Sequence, residues 1–238
     1  MGSMMKIKMY SHALDFGRKT FSTKEIDTNA LHVEQNGILK HTQQIWEIIV
    51  RKERKNMNDY IYDILVVVDA QIDFIIGSLG DKYAQAIVPA IENEVEKSNK
   101  NNRPVVFTKD THGDDYLETS EGKKLPIIHT KEGTEGWQIG LKVTPNTYEF
   151  VNKNTFGYLH WDKVLSTYLE GKDLKKITIA FCGLKTDICV ISNVLIVKTM
   201  YPDVNVVVLA NCCAGTTPEK HKAALEVMKS CQIDVVGE

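Results

Sequence analysis

Five short apolar runs, rich in β-branched residues, recur through the C-terminal three-quarters of the chain and constrain its fold more than any other feature. They are "DILVVVD" (63–69), "PVVFTKD" (104–110), "YEFVNK" (148–153), "KITIAFCG" (176–183) and "VNVVVLA" (204–210). Such runs read as strands buried on both faces, which occurs where helices cover both sides of a parallel sheet. Helical patterns separate most of them. "AQAIVPAIENEVEKSNK" follows the first, "HWDKVLSTYLEGK" the third and "DICVISNVLIVKTM" the fourth. "TPEKHKAALEVMKSC" follows the fifth, with Thr217 the expected N-cap and Pro218 at the first helical position. A last run, "IDVV", predicts a short edge strand. Strand alternating with helix predicts an α/β fold: a three-layer α/β/α sandwich around a mostly parallel, doubly wound sheet. Ligands in such sheets bind outside the carboxyl ends of the strands. Any chemistry is therefore expected where the apolar runs stop.

The patterning begins near residue 60 of 238, which predicts a domain over 61–238 preceded by an appendage over 1–60. The opening "MGSM" resembles a cloning leader and carries no weight. Within the appendage, "HTQQIWEIIVRKERK" (41–55) predicts one helix, with Ile45, Ile48 and Ile49 on a shared face. Lys and Arg number 29 against 31 Asp and Glu, a balance that argues against a nucleic-acid or polyanion partner. No apolar run approaches the ~18 residues of a membrane span, and the N-terminus lacks a signal-peptide core. The five cysteines (182, 189, 212, 213, 231) form no CxxC pair, which disfavours a disulfide scaffold or structural zinc knuckle. A reducing, cytoplasmic setting is expected.

Polar residues do fall at the strand ends. Asp69 ends the first run, Asp110 the second and Lys153 the third, while Cys189 follows the fourth across a turn from Gly183 to Asp187. Singly, each has a plain structural reading: a capping aspartate, a solvated lysine, a packed thiol. Together they place an acid, a base and a thiol on the face where this architecture builds its sites. A thiol needs a proton acceptor to become a nucleophile, and a nearby ammonium can hold that carboxylate in place. The helix following Gly183 is further expected to lower the Cys189 pKa through its N-terminal amides. Those amides also suit an oxyanion hole.

"VVVDAQIDF", "TKDTH", "VNKNTFG" and "GLKTDICV" resemble the motifs of isochorismatase-like cysteine hydrolases, and of the nicotinamidase branch in particular, over about 63–236. The resemblance implies a catalytic set of Asp69, Lys153 and the nucleophile Cys189. It also implies an oxyanion hole from the backbone amides of Lys185 and Cys189, with a cis peptide between Leu184 and Lys185. Cys182, inside the strand, is expected to pack. Phe74 would form one wall of a substrate pocket. The position where the branch carries a second aromatic wall is Pro126 here, so Trp137 and Trp161 are the remaining aromatic candidates.

The polar stretch "DTHGDDYLETSEGKKLPIIHTKEGTEGW" (110–137) is long enough to be a functional loop. Asp110, His112 and His129 are a ligand set suited to Zn²⁺ or Fe²⁺, although taken alone they are equally a turn aspartate and two surface histidines. The resemblance resolves them as ligands of a divalent transition metal, zinc first, with iron or manganese as alternatives. Some members add a fourth ligand, for which Glu121 is the first candidate and Glu118 the second. The expected activity is hydrolysis of nicotinamide to nicotinate and ammonia through a thioester on Cys189. Another small amide or ureide, or a catalytically idle binding role, is the alternative. The expected partners are a small-molecule amide and further copies of this chain, with neither nucleic acid nor membrane.

Overall fold

In the computed structural model the described residues are 60–238. The appendage over 1–60 and its helix over 41–55 lie, but for the appendage's last residue, outside them.

Each apolar run forms a strand. β1 (Ile64–Val68), β2 (Val105–Asp110), β3 (Tyr148–Lys153), β4 (Thr178–Leu184) and β5 (Asn205–Ala214) are joined by a short β6 (Asp234–Val236). They make one sheet in the order β3-β2-β1-β4-β5-β6 with every pairing parallel. β1 and β2 are buried along their whole length, and β4 after its first residue, as uninterrupted Val, Ile and Phe runs require. β5 continues four residues past the apolar run, through Asn211 to Ala214. A register shift beside Phe181 and Gly183 re-aligns it with β4, and the small side chains of Cys212, Cys213 and Ala214 pack inward there.

The larger helices are α2 (Lys82–Lys100), α4 (Trp161–Leu169), α5 (Ile191–Met200) and α6 (Pro218–Ser230), with short helices α1 (Ile72–Ile75) and α3 (Ser120–Lys124) in the connections. Asp81 caps α2 through its Oδ1, which accepts from Tyr83 N and Ala84 N at 2.8 Å each. Thr217 caps α6 by accepting from Lys220 N, with Pro218 at its start as expected. No helix of the described residues is long and apolar enough to cross a membrane.

This strand order places the topological switch between β1 and β4. The chain runs outward through β2 and β3, then returns to the other side of β1. Side chains at the carboxyl ends of β1, β3 and β4 are thereby brought to one crevice. Gly183 makes the closest approach there: its φ is +120°, and a Cβ would lie 2.0 Å from the Val68 carbonyl oxygen.

Candidate active site

Register brings Asp69 and Lys153 together. β1 pairs with β2 through Val68 and Thr108, and β2 with β3 through Asp110 and Lys153. Asp69, just past β1, has the left-handed φ of +47°. Its backbone N–H reaches the Thr108 carbonyl, and its Oδ1 accepts the Thr108 hydroxyl at 2.6 Å. Lys153 Nζ lies 2.7 Å from Asp69 Oδ2, 3.2 Å from Asp110 Oδ1 and 3.5 Å from Cys189 Sγ. No directed hydrogen bond falls on Asp69 Oδ2, so the ammonium acts on it mainly as a charge and leaves a lone pair for a proton. All three side chains are buried.

Their protonation follows from that burial. It pushes the Asp69 carboxyl up, against the attraction of Lys153 and with the added repulsion of Asp110. Lys153 is destabilised as a cation by burial, but Asp69, Cys189 and Asp110 outweigh this and hold it charged. Cys189 departs from expectation. Burial, reinforced by the negative charge of Asp69 and only partly offset by Lys153, raises its thiol well above the usual range. The helix amides do not deliver a preformed thiolate. What the geometry offers instead is a neutral thiol beside the Lys153 ammonium, which also pairs with a carboxylate already inclined to take a proton.

Cys189 lies in a widened π turn, Thr186–Val190, that precedes α5. Ile188 N and Val190 N both donate to the Lys185 carbonyl, at 3.0 and 3.1 Å, and the Cys189 N–H between them does not. The Lys185 N–H has no acceptor among the described residues. The Leu184–Lys185 peptide is cis, as the resemblance implies. Asn193 ties this turn to the segment after β3. Its Nδ2 donates to the Cys189 and Phe156 carbonyls, and its Oδ1 accepts from Tyr158 N and Trp161 Nε1. A lone Asn inside "CVISNVLIV" was the available signal for that role. Cys182 lies fully buried in β4, in a packing position.

Asp110 joins this set to the loop that follows β2. Its Oδ2 lies 3.0 Å from His112 Nε2, 3.6 Å from His129 Nε2 and 3.2 Å from the Thr130 hydroxyl. Burial opposes its ionisation, yet the neighbouring His112 and His129 imidazoles and the Lys153 ammonium hold it well below the usual carboxylate range. The three ligand atoms lie within 4.8 Å of one another, and all three residues are buried. His129 Nδ1 is engaged by the Ile127 carbonyl at 2.7 Å, which turns Nε2 inward. His112 Nε2 is buried and finds no well-directed hydrogen-bond partner, 3.0 Å from Asp110 Oδ2 though it is. One carboxylate and two imidazole nitrogens converging with an orphaned buried nitrogen fit a divalent transition metal. Glu121 stands outside this trio. It lines the cavity from α3, with its carboxyl raised by burial and by Asp110. Glu118 is exposed.

The tail of β1 holds the loop in place. Gln71, fully buried, donates to the Asp110 and Trp137 carbonyls and accepts from Asp110 N. Asp73 Oδ2 accepts from Thr130 N at 2.7 Å, beside His129, where Thr130 has a left-handed φ of +41°. Both residues lie in "DAQIDF", but their partners are distant in sequence and no local pattern reveals them.

A cavity of about 800 Å³ opens over Asp110, His112, His129 and Cys189, with Asp69 and Lys153 buried behind its lining. Phe74 lines it as expected, its ring edge-on to His129 at 5.6 Å. The aromatic candidates from sequence are corrected. Trp161 is fully buried beneath the sheet against Phe181, and Trp137 stacks on the Lys109 ammonium away from the cavity. The aromatics that do line it are Tyr116, packed on His112 and His129, and Phe156 from "VNKNTFG".

Known proteins give the same outline. An isochorismatase domain model matches residues 63–237. A search of curated sequences finds no match. Among solved structures, a nicotinamidase from Bacillus subtilis is similar at 23% identity and a TM-score of 0.63, over 74% of this chain and 99% of that one. A pyrazinamidase of Pyrococcus horikoshii in complex with zinc is similar at 24% identity and a TM-score of 0.58, over 74% and 98%. An N-carbamoylsarcosine amidase from Thermoplasma acidophilum is similar at 22% identity and a TM-score of 0.60, over 74% and 96%. At these identities the likeness is one of fold. The domain match spans most of the chain, and with the parallel six-stranded sheet it establishes that this protein belongs to the isochorismatase family of hydrolases.

Proposed function

We propose that the chain is a metal-assisted amidohydrolase that converts nicotinamide and water to nicotinate and ammonia. The observation that carries this is the convergence of Cys189 Sγ, Lys153 Nζ and Asp69 beside the Asp110–His112–His129 trio. In this reading Asp69 accepts the thiol proton as Sγ attacks the carboxamide carbon, and Lys153 holds Asp69 in line. The oxyanion that forms is taken by the free Lys185 N–H and the Cys189 N–H. Asp69 returns its proton to the departing amine, which leaves as ammonia with the C–N bond broken and a thioester on Cys189. Water then loses a proton to Asp69 and attacks the thioester, releasing the acid and restoring the thiol. A metal held by Asp110, His112 and His129 would supply a Lewis-acidic point on the cavity wall for a ring nitrogen. The nicotinamidase and zinc-bound pyrazinamidase folds support this reading.

A second substrate class is favoured by one observation. The cavity, at about 800 Å³, is roomier than one pyridine carboxamide needs. A longer ureide would use the same Cys189 chemistry, and an N-carbamoylsarcosine amidase shares the fold. Ammonia release from nicotinamide, pyrazinamide and N-carbamoyl amino acids decides between them, using metal-replete wild type and Cys189→Ala. Nicotinamide turnover by the wild type alone is expected. Ureide turnover without nicotinamide turnover would select the second class.

A further inference from the structure

Three consecutive side chains at the turn before Cys189 are each tied to a different part of the fold. Asp187 accepts from Thr216 N at 2.7 Å and from the Thr216 hydroxyl at 2.6 Å, which fixes the turn to the end of β5. The Thr186 hydroxyl pairs with His221 Nδ1 at 2.8 Å, which fixes it to α6. Lys185 reaches across the cavity mouth, and its Nζ donates to Asp81 Oδ2 at 2.5 Å, 104 positions away in sequence. The Lys185 side chain is 8% exposed and that of Asp81 31%, so the contact is buried on the lysine side and half open on the aspartate side.

Asp81 is itself immobilised. Its other oxygen caps α2, and its own charge is favoured by Lys185 and the cap amides despite the burial that opposes it. The turn before it is tight, because a Cβ on Gly80 would lie 2.7 Å from the Ile75 carbonyl and the Ile76 backbone. The Lys185 side chain is thus anchored to a rigid point, while its backbone N–H has no acceptor among the described residues and is available for the oxyanion of the reading above.

We propose that Asp81 is a positioning residue for the oxyanion hole: by holding the Lys185 ammonium to the start of α2, it fixes the Lys185 N–H for the developing negative charge. This rests on the cysteine-hydrolase reading of the site. A donor in an oxyanion hole acts only if it is placed before the charge appears, so a loosened turn lowers kcat while leaving ground-state binding alone.

Asp81→Asn isolates the effect, because asparagine caps a helix about as well as aspartate but cannot pair with an ammonium. Lys185→Met removes the other partner and keeps the backbone amide. Each variant is expected to lose about ten-fold in kcat with KM within about two-fold, and the double variant to lose little more than either single one. Alkylation of Cys189 by iodoacetamide creates no oxyanion and is expected to proceed at the wild-type rate. Independently of turnover, amide hydrogen exchange over 184–190 is expected to quicken several-fold in both variants, so the tether remains testable if the wild type hydrolyses no amide offered. Unchanged exchange and unchanged kcat would overturn the proposal. So would a change confined to KM for anionic amides, since the pair would then be a substrate-binding subsite.

Discussion

The ends of β1 and β3 and the 111–147 connection meet at Asp110, yet they hold their polar groups by different means. Asp69 and Lys153 are placed by ladder register, with Thr108 and Asp110 of β2 between them. The connection has no ladder, only isolated bridges between His112 and Lys131 and between Gln71 and Ile139. It is held to the tail of β1 by three backbone bonds, Ile72 N to the Gln138 carbonyl, Asp73 N to the Gly136 carbonyl and Gly140 N to the Ala70 carbonyl, and by side chains, Gln71 to Asp110 and Trp137, and Asp73 to Thr130. A site half built on register and half on such tethers should fail in two ways, by lost chemistry on one side and lost ligation on the other.

The sharpest break is at Cys189. Cys189→Ala is expected to lower kcat by at least about 10⁴-fold, because no other group can carry the acyl intermediate. Cys182→Ala, at a fully buried packing position inside β4, is expected to stay within about two-fold. Steady-state ammonia release checks both, and comparable losses would remove the distinction between nucleophile and packing thiol. With its thiol raised by burial, Cys189 is also expected to react with iodoacetamide more slowly than the exposed Cys231 near neutral pH. Peptide mapping of partly alkylated protein reads that order.

Lys153 tests the register side for stability. Lys153→Met leaves Asp69 and Asp110 buried without their shared cation, and removing one partner of a buried pair costs about 3–5 kcal/mol. Asp69, already raised by burial, is then raised further. An acid with a raised folded pKa binds extra protons in the folded state. The penalty is therefore small below the unfolded carboxylate pKa and grows as pH rises past it. Denaturant unfolding should show the full loss near pH 7 and a smaller one near pH 4. Equal losses at both would mean that packing, not charge, is what the lysine contributes.

On the tethered side the measure is metal. About one zinc, iron or manganese per chain is expected by elemental analysis, and Asp110→Ala or His129→Ala is expected to weaken binding by more than about 100-fold. Asp73→Ala touches no ligand atom and is expected to cost about ten-fold, through the Thr130 turn beside His129. A chelator competition assay separates these, and an Asp73 effect as large as a ligand's would show that the loop has no order of its own.

Legibility in the sequence follows the same division. The strands, the sheet class and the set Asp69, Lys153 and Cys189 could be read because buried strands announce themselves as apolar runs and the fold dictates which end is used. Asp110, His112 and His129 could be read through their resemblance to a known ligand pattern. Gln71, Asp73, Asp81 and Asn193 could not, since each acts through a partner that only the folded chain brings near. The raised Cys189 thiol escapes the sequence for a related reason: the helix amides are visible locally, whereas burial beside two carboxylates is not. The sequence offers Trp137 and Trp161 for the second aromatic, but an aromatic residue's identity says nothing of which side of the sheet it faces. Phe156, three residues past Lys153 on the site side, stood within a motif already in view.

The smallest expected effect concerns the two phenylalanines of the cavity. Phe74 is 8% exposed and packs against His129, while Phe156 is 48% exposed at the cavity surface. An aromatic contact adds ~0.5–1.5 kcal/mol beyond area burial, or roughly two- to ten-fold in binding. Phe156→Ala is therefore expected to raise KM for nicotinamide by a few-fold with kcat unchanged, since it touches no group that acts on the carboxamide. Phe74→Ala is expected to do more than this. Its loss frees the His129 ring, so metal affinity should fall alongside the rise in KM. Metal titration beside steady-state kinetics separates the two cases. If Phe156→Ala leaves nicotinamide unaffected but weakens a longer ureide, the exposed ring serves the outer part of a larger substrate, and the roomy cavity has its explanation.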